Sequence, residues 1–268
     1  MSARGDIELT VEGLTIRFGG LTAVDGTTFE VRAGEVLSLI GPNGAGKTTA
    51  FNAITGFIEL TGGRIAYRGQ RLDGLKPNQI AALGVVRTFQ KTSVFTGRSV
   101  HDNVAIGLHL RSRQTAPAIL LGLPSVAREE KELATQASEI LRFVGLEARA
   151  DLTASSLPYG ELRLLEVAVA LAAQPKLLLL DEPVSGMNPV ETDSFMKLLA
   201  QIRAQGITVL LVEHDMKMVM GVSDRIVCLA QGRVIANGSP AEIRKNPDVI
   251  RAYLGERYAR GEGAHIRA

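Results

Sequence analysis

The sequence predicts an α/β fold in which a parallel sheet is interrupted by an inserted helical subdomain. Three observations predict it. The apolar run Val36–Ile40 reads as a strand and Thr49–Ile54 as a helix, with the glycine-rich stretch Gly41–Thr49 joining them. Leu177–Leu180 is apolar without polar alternation, as in the middle of a parallel sheet, and it ends on Asp181-Glu182. Between Ser99 and Val144 the apolar spacing changes to the helical period.

The elements follow in order. Ile7, Leu9 and Val11 alternate with polar residues, and Leu14, Ile16 and Phe18 do so again after Gly13. Thr27–Val31 and Glu35–Ile40 follow across a turn at Ala33-Gly34, so an antiparallel sheet is expected beside the glycine-rich loop. A short strand is expected over Arg64–Tyr67, a helix opened by Pro77 over 77–83, and a strand over Val85–Gln90. Helices are expected over Ser99–Leu110 and Ser125–Val144. In the second, Leu133, Ala137, Ile140, Leu141 and Val144 share a face, and the charge run Arg128–Glu132 is a solvated one.

Leu162–Ala173 becomes apolar all round and reads as a buried helix. Asn188-Pro189-Val190-Glu191 carries the cap, first-turn proline and acid of a helix start. Val190, Phe195, Leu198, Leu199 and Ile202 form that helix's buried stripe, and Gly206 ends it. Thr208–Val212 is a buried strand, and Arg225–Leu229 and Val234–Ala236 flank a turn at Gln231-Gly232. Asp248–Leu254 is amphipathic, and Gly255–Ala268 is expected to be a frayed polar tail. The expected organisation is a core of residues 1–90 and 161–240, a helical subdomain at 91–160, and a C-terminal helix and tail at 241–268.

Bulk properties exclude several classes. A net charge of +2 over 268 residues makes no general case for nucleic acid. A single cysteine, Cys228, rules out an intrachain disulfide, and its apolar neighbours make it a small buried hydrophobe. The start Met1–Asp6 lacks an apolar core, so no secretory signal is expected. No run approaches the ~20 apolar residues of a membrane span. Work at a membrane would therefore go through a partner.

The chemistry sits at two places. Gly41-Pro42-Asn43-Gly44-Ala45-Gly46-Lys47-Thr48-Thr49 has the spacing G-x-x-x-x-G-K-[ST] between strand and helix. Glycines let the backbone wrap an anion, and the following helix offers the positive end of its dipole. Lys47 can reach the β- and γ-phosphates, and the Thr48 hydroxyl can ligate Mg²⁺. At the second place two adjacent carboxylates leave the end of a central strand, where open α/β sheets bind ligands. Their side chains point in opposite directions, so Asp181 is assigned to Mg²⁺ and Glu182 to the water that attacks the γ-phosphate.

With these motifs the chain resembles the ATP-binding cassette ATPases over about residues 7–255. The resemblance implies a P-loop NTPase fold, a RecA-like core with an antiparallel β subdomain plus the helical insert, and ATP and Mg²⁺ as ligands. It implies that Gln90 senses Mg²⁺ and water, that His214 contacts the γ-phosphate, and that Phe18 stacks on adenine. The family's signature, Leu-Ser-Gly-Gly-Gln, reads here Leu157-Pro158-Tyr159-Gly160-Glu161. In the family this segment serves the γ-phosphate held by another subunit, so each chain is half of a head-to-tail dimer.

Pro158 removes a hydroxyl and an N–H, each worth about 1.5–3 kcal/mol on a charged acceptor. Ser185-Gly186-Met187-Asn188 occupies the family's loop across the dimer, with Asn188 in place of its aspartate.

A finer resemblance links the chain to the ATPase subunits of branched-chain amino acid importers. Arg17–Val24, Val86–Gln90, Tyr159, Glu182–Pro189 and Ala252–Gly255 carry it. It implies a second ATPase subunit, two membrane permeases and an external binding protein as partners, at the cytoplasmic face of the membrane. Phe89–Phe95 and Ser99–Asn103 are expected to line a groove for the permease. ATPases of urea import and lipopolysaccharide export are similar. A soluble cassette acting on nucleic acid fits less well, since the chain has no second cassette, coiled-coil insert or basic tract. A P-loop kinase or GTPase lacks a use for His214, and there is no Asn-Lys-x-Asp.

Overall fold

A computed structural model describes residues 6–88, 94–109 and 124–259. Strands β1 (Ile7–Phe18) and β2 (Leu21–Arg32) pair antiparallel through Gly19-Gly20. The two alternating runs of β1 are one strand. Gly13, at φ 58°, takes up a bulge between Val11 and Leu14, and the inward face resumes beyond it. β4 (Gly62–Tyr67) pairs with β1, and β5 (Gln70–Arg71) with β4, giving a four-stranded sheet in the order β2-β1-β4-β5.

The second sheet has the order β10-β9-β3-β8-β7-β6. Its strands are β3 (Val36–Ile40), β6 (Val85–Arg87), β7 (Leu177–Asp181), β8 (Thr208–Val212), β9 (Arg225–Ala230) and β10 (Arg233–Gly238). β9, β3, β8, β7 and β6 run parallel, and β10 is an antiparallel edge. β3, β7 and β8 are buried along their whole length because both faces are covered. Leu178 and Leu180 pack with the helical part of the chain. Leu177 and Leu179 pack on the opposite face with the antiparallel sheet and α1 (Lys47–Ile54). Leu39 and Asp181 both pair with Val212, so these strands finish together at one edge.

Helices α2 (Pro77–Ala82), α3 (Val100–His109), α4 (Pro124–Val144) and α5 (Tyr159–Ala172) follow. Leu133, Ala137, Leu141 and Val144 of α4 join Val100, Val104 and Leu108 of α3 and Leu165 and Ala168 of α5 in one core. α5 starts at Tyr159 rather than Leu162, because Pro158 is its N-cap in an extended conformation (ψ 155°). α6 (Pro189–Ala204) has the expected capping box, but Val190 is 75% exposed. It sits in the first turn, which projects from the body, and Thr192 takes the buried place.

Two short helices were not expected: α7 (Met216–Val222) and α8 (Pro240–Lys245). α9 (Pro247–Ala259) carries the helix five residues into the expected tail. Cys228 lies in a third core with Ile226, Val219 and Ile243, and burial pushes its thiol up to about 11. Among the described residues no helix is long and apolar enough to cross a membrane.

Candidate nucleotide site

The loop between β3 and α1 is shaped by backbone that only glycine tolerates. Gly41 has φ 148°, and a Cβ there would lie 2.1 Å from the Leu229 carbonyl oxygen. Gly46, the N-cap of α1, has φ 98°, and a Cβ would lie 2.6 Å from the Ala23 oxygen. The turn between β9 and β10 braces the loop from behind. Gly232 N–H donates to Ala45 O at 3.1 Å, and Gly232 O accepts from Asp25 N–H and the Thr27 hydroxyl. Gly46 brings no side chain to the helix start, so no cap competes for the first N–H groups. Lys47 is buried, its ammonium donating to Gly41 O at 2.6 Å and Pro42 O at 3.0 Å across the loop mouth.

A cavity of about 580 Å³ opens over this loop. It is lined by Asn43, Gly44, Ala45, Gly46, Lys47, Thr48 and Thr49, by Phe18, Leu21, Thr22 and Ala23 from the β1–β2 hairpin, and by Glu182 and Gln231. Phe18 and Leu21 are half or more exposed, so the hairpin offers an apolar surface beside the loop.

Glu182 leaves β7 at φ 48°, a conformation L-residues seldom adopt, held by its N–H donating to Val212 O at 2.8 Å. This aims its carboxylate into the cavity, with the His214 ring 3.9 Å away. His214 is held from below by Glu213, a residue the sequence reading passed over. The buried Glu213 carboxylate accepts backbone N–H from Val184, His214 and Asp215. It thereby ties the segment after Glu182 to the one carrying His214. Burial pushes its carboxyl above the ordinary range against those three donors.

Asp181 is buried at the end of β7. Its Oδ2 accepts from Arg87 at 2.6 Å, while Oδ1 has no hydrogen-bond partner among the described residues. An orphaned, buried carboxylate oxygen suits a hard cation, and Thr48 in the cavity wall adds a hydroxyl. Burial pushes the Asp181 carboxyl up, with Arg87 opposing. Gln90 and Phe89 lie outside the described residues.

The segment Leu157–Glu161 does not line this cavity. Leu157 turns into the helical core, and Tyr159 is about half exposed. The Arg163 guanidinium donates to the Tyr159 hydroxyl at 2.6 Å and to Glu166 at 2.8 Å. Glu161 pairs with Arg149 at 3.0 Å. A Cβ on Gly160 would sit 2.9 Å from a Glu191 carboxylate oxygen, and one on Gly186 2.9 Å from the Tyr159 ring. The N-terminus of α5 thus packs on Gly186 and on Glu191 in the first turn of α6. Asn188 there caps α6, its Oδ1 accepting from Val190 and Glu191 N–H.

Known proteins resemble this chain along most of its length. The ABC transporter family model matches residues 24–185. A second, for the branched-chain amino acid ATP-binding cassette transporter, matches residues 233–259. The chain is 49% identical over 249 residues to the high-affinity branched-chain amino acid transport ATP-binding protein LivG of Escherichia coli (strain K12), covering 92% of this chain and 98% of that one. It is 47% identical to BraF of Pseudomonas aeruginosa over 92% of this chain and 98% of the relative.

Among solved structures, an ATP-binding cassette of an ABC transporter in its ADP conformation superposes with a TM-score of 0.82. That match has 30% identity, over 93% of this chain and 99% of that one. A dimeric post-hydrolysis cassette bound to ADP and Pi shares the fold, with a TM-score of 0.73 at 22% identity, covering 87% of this chain and 98% of that one.

Proposed function

From the premise that this chain belongs to the ABC transporter ATP-binding family, we propose that it hydrolyses ATP to drive branched-chain amino acid import through partner permeases. One observation carries the hydrolytic part: the phosphate loop, Glu182 and His214 meet at the carboxyl edge of one sheet. The substrate class rests on relatives named for branched-chain amino acid transport at up to 49% identity.

ATP lies in the cavity with its adenine against Phe18 and its phosphates over Gly41–Thr49. The loop N–H groups and the Lys47 ammonium take the phosphate charge, each charged hydrogen bond worth about 1.5–3 kcal/mol. Thr48 and Asp181, with Gln90, are the residues that would hold Mg²⁺, which when bound draws charge off the phosphate oxygens. Glu182 orients a water and draws its proton as the water oxygen bonds to the γ-phosphorus and the β–γ bridging bond breaks. His214 holds the γ-phosphate on the other side.

The other half of each site comes from a second subunit in a head-to-tail dimer. Tyr159, Gly160 and Glu161 at the N-terminus of α5 face that subunit's γ-phosphate, and Leu157 contributes through its backbone. A second cleft, of about 270 Å³, lies between the core and the helical part. Phe57, Ile80, Val86, Val94 and Val169 line it, and we assign it to a helix of the permease, with the chain peripheral on the cytoplasmic face. Asn103 does not line this cleft; its buried amide clamps the backbone of Phe95.

The test is reconstitution with the permeases and an external binding protein in vesicles. ATP inside is expected to drive uptake of leucine, isoleucine or valine. Uptake of urea instead, or extrusion of lipopolysaccharide, would replace the substrate assignment.

A further inference from the structure

Arg87 ends β6 as a charged residue in an otherwise apolar stretch, and its side chain is only 7% exposed. One arm of its guanidinium donates to Asp181 Oδ2 at 2.6 Å. The other donates to Asn52 Oδ1 at 2.6 Å. Asn52 lies on α1, four residues beyond Thr48, so one planar fork ties the last residue of β7 to the helix that carries the phosphate loop. The guanidinium carbon sits 5.5 Å from the centre of the Phe51 ring, which fixes its plane. Arg87 also forms part of the wall of the 270 Å³ cleft.

We propose that Arg87 is a positioning residue for the metal site: with Asn52 it fixes the rotamer of Asp181 so that Oδ1 stays open to Mg²⁺. The inference rests on the reading that Asp181 holds Mg²⁺. An isolated carboxylate could turn either oxygen toward the loop. A carboxylate with one oxygen committed to a fixed guanidinium has only one to offer. Groups that orient a ligand in this way typically change metal affinity by about 10–100-fold when removed.

The test measures binding of a fluorescent ATP analogue to the full-length chain, in EDTA and across a Mg²⁺ titration, for Arg87→Met, Arg87→Lys, Asn52→Ala and Asp181→Asn. Arg87→Met is expected to keep its affinity in EDTA, since the phosphate loop is intact, and to need about 10–100-fold more Mg²⁺ for the tighter state. Arg87→Lys, which keeps the charge but lacks the fork, and Asn52→Ala, which keeps the ion pair, are expected to shift the same way by less. These two carry the test if the methionine variant does not fold.

A merely structural role would lower melting temperature and leave the Mg²⁺ requirement unmoved. Wild-type Mg²⁺ dependence in the Arg87 and Asn52 variants, with loss in Asp181→Asn, would overturn the positioning role. Wild-type dependence in Asp181→Asn would instead overturn the metal assignment itself.

Discussion

The two halves of the proposed site are built from different materials. The half the chain keeps, Gly41–Thr49, is a main-chain cradle with the Lys47 and Thr48 side chains set in it. Gly41 and Gly46 sit where a Cβ would strike Leu229 or Ala23, and the Gly232 turn braces the loop from behind. The half it lends, Leu157–Glu161, is a helix start braced by side chains. Its helix starts on a proline that supplies neither hydroxyl nor N–H, Tyr159 and Glu161 are held by Arg163 and Arg149, and Gly160 leaves room for the Glu191 carboxylate. A backbone cradle has few sequences that can form it. A side-chain brace has many, so the lent half has room to diverge.

The largest expected effect separates chemistry from binding in the kept half. Glu182→Gln is expected to retain ATP affinity and lower turnover of the assembled transporter about 10²–10⁴-fold, trapping a closed dimer. Wild-type turnover would remove Glu182 from its role. In the lent half, Gly160→Val places atoms against the Glu191 carboxylate, and in the proposed dimer they stand in the path of the partner's phosphate. Assembled turnover is expected to fall about 10²-fold, with nucleotide binding by the isolated chain unchanged. Pro158→Ser restores a donor at the helix start, and turnover is expected to rise by up to about tenfold. No gain, or a loss, would overturn the reading that Pro158 weakens the lent half.

The smallest effect concerns Glu213, which joins the segments that follow β7 and β8. Burial raises its folded-state pKa, so the folded chain holds a proton that the unfolded chain has released. Stability from this group is therefore present below the ordinary glutamate range and is lost as pH rises through the raised value. Glu213→Gln should gain in melting temperature relative to wild type as pH climbs across that window. A pH-independent difference would contradict the buried charge.

The kept half was legible because its spacing encodes a backbone conformation, and β3, β7 and β8 because full burial leaves an unbroken apolar run. What sequence reading missed depends on long-range pairing. Arg87 looks like a polar position inside the expected strand Val85–Gln90 and Glu213 like a residue just past a strand end, and only the sheet order reveals that they are buried and partnered across it. The available signal was a charge directly abutting two apolar residues, Val85-Val86 and Leu211-Val212. α7 and α8 are too short for a helical period to emerge. The start of α5 was missed because its first turn carries Tyr159, Gly160 and Glu161, with no apolar spacing to mark it.

The central claim is that this chain binds one ATP itself and completes the site of another. Photoaffinity labelling of each ATPase subunit in the assembled transporter tests it directly, with Lys47→Ala and Gly160→Val made in this chain alone. Lys47→Ala is predicted to abolish labelling of this subunit and spare its partner. Gly160→Val is predicted to leave labelling of this subunit intact while hydrolysis at the partner's nucleotide is lost. Loss of this subunit's own labelling in Gly160→Val, with the partner's hydrolysis unchanged, would contradict the division into a kept and a lent half.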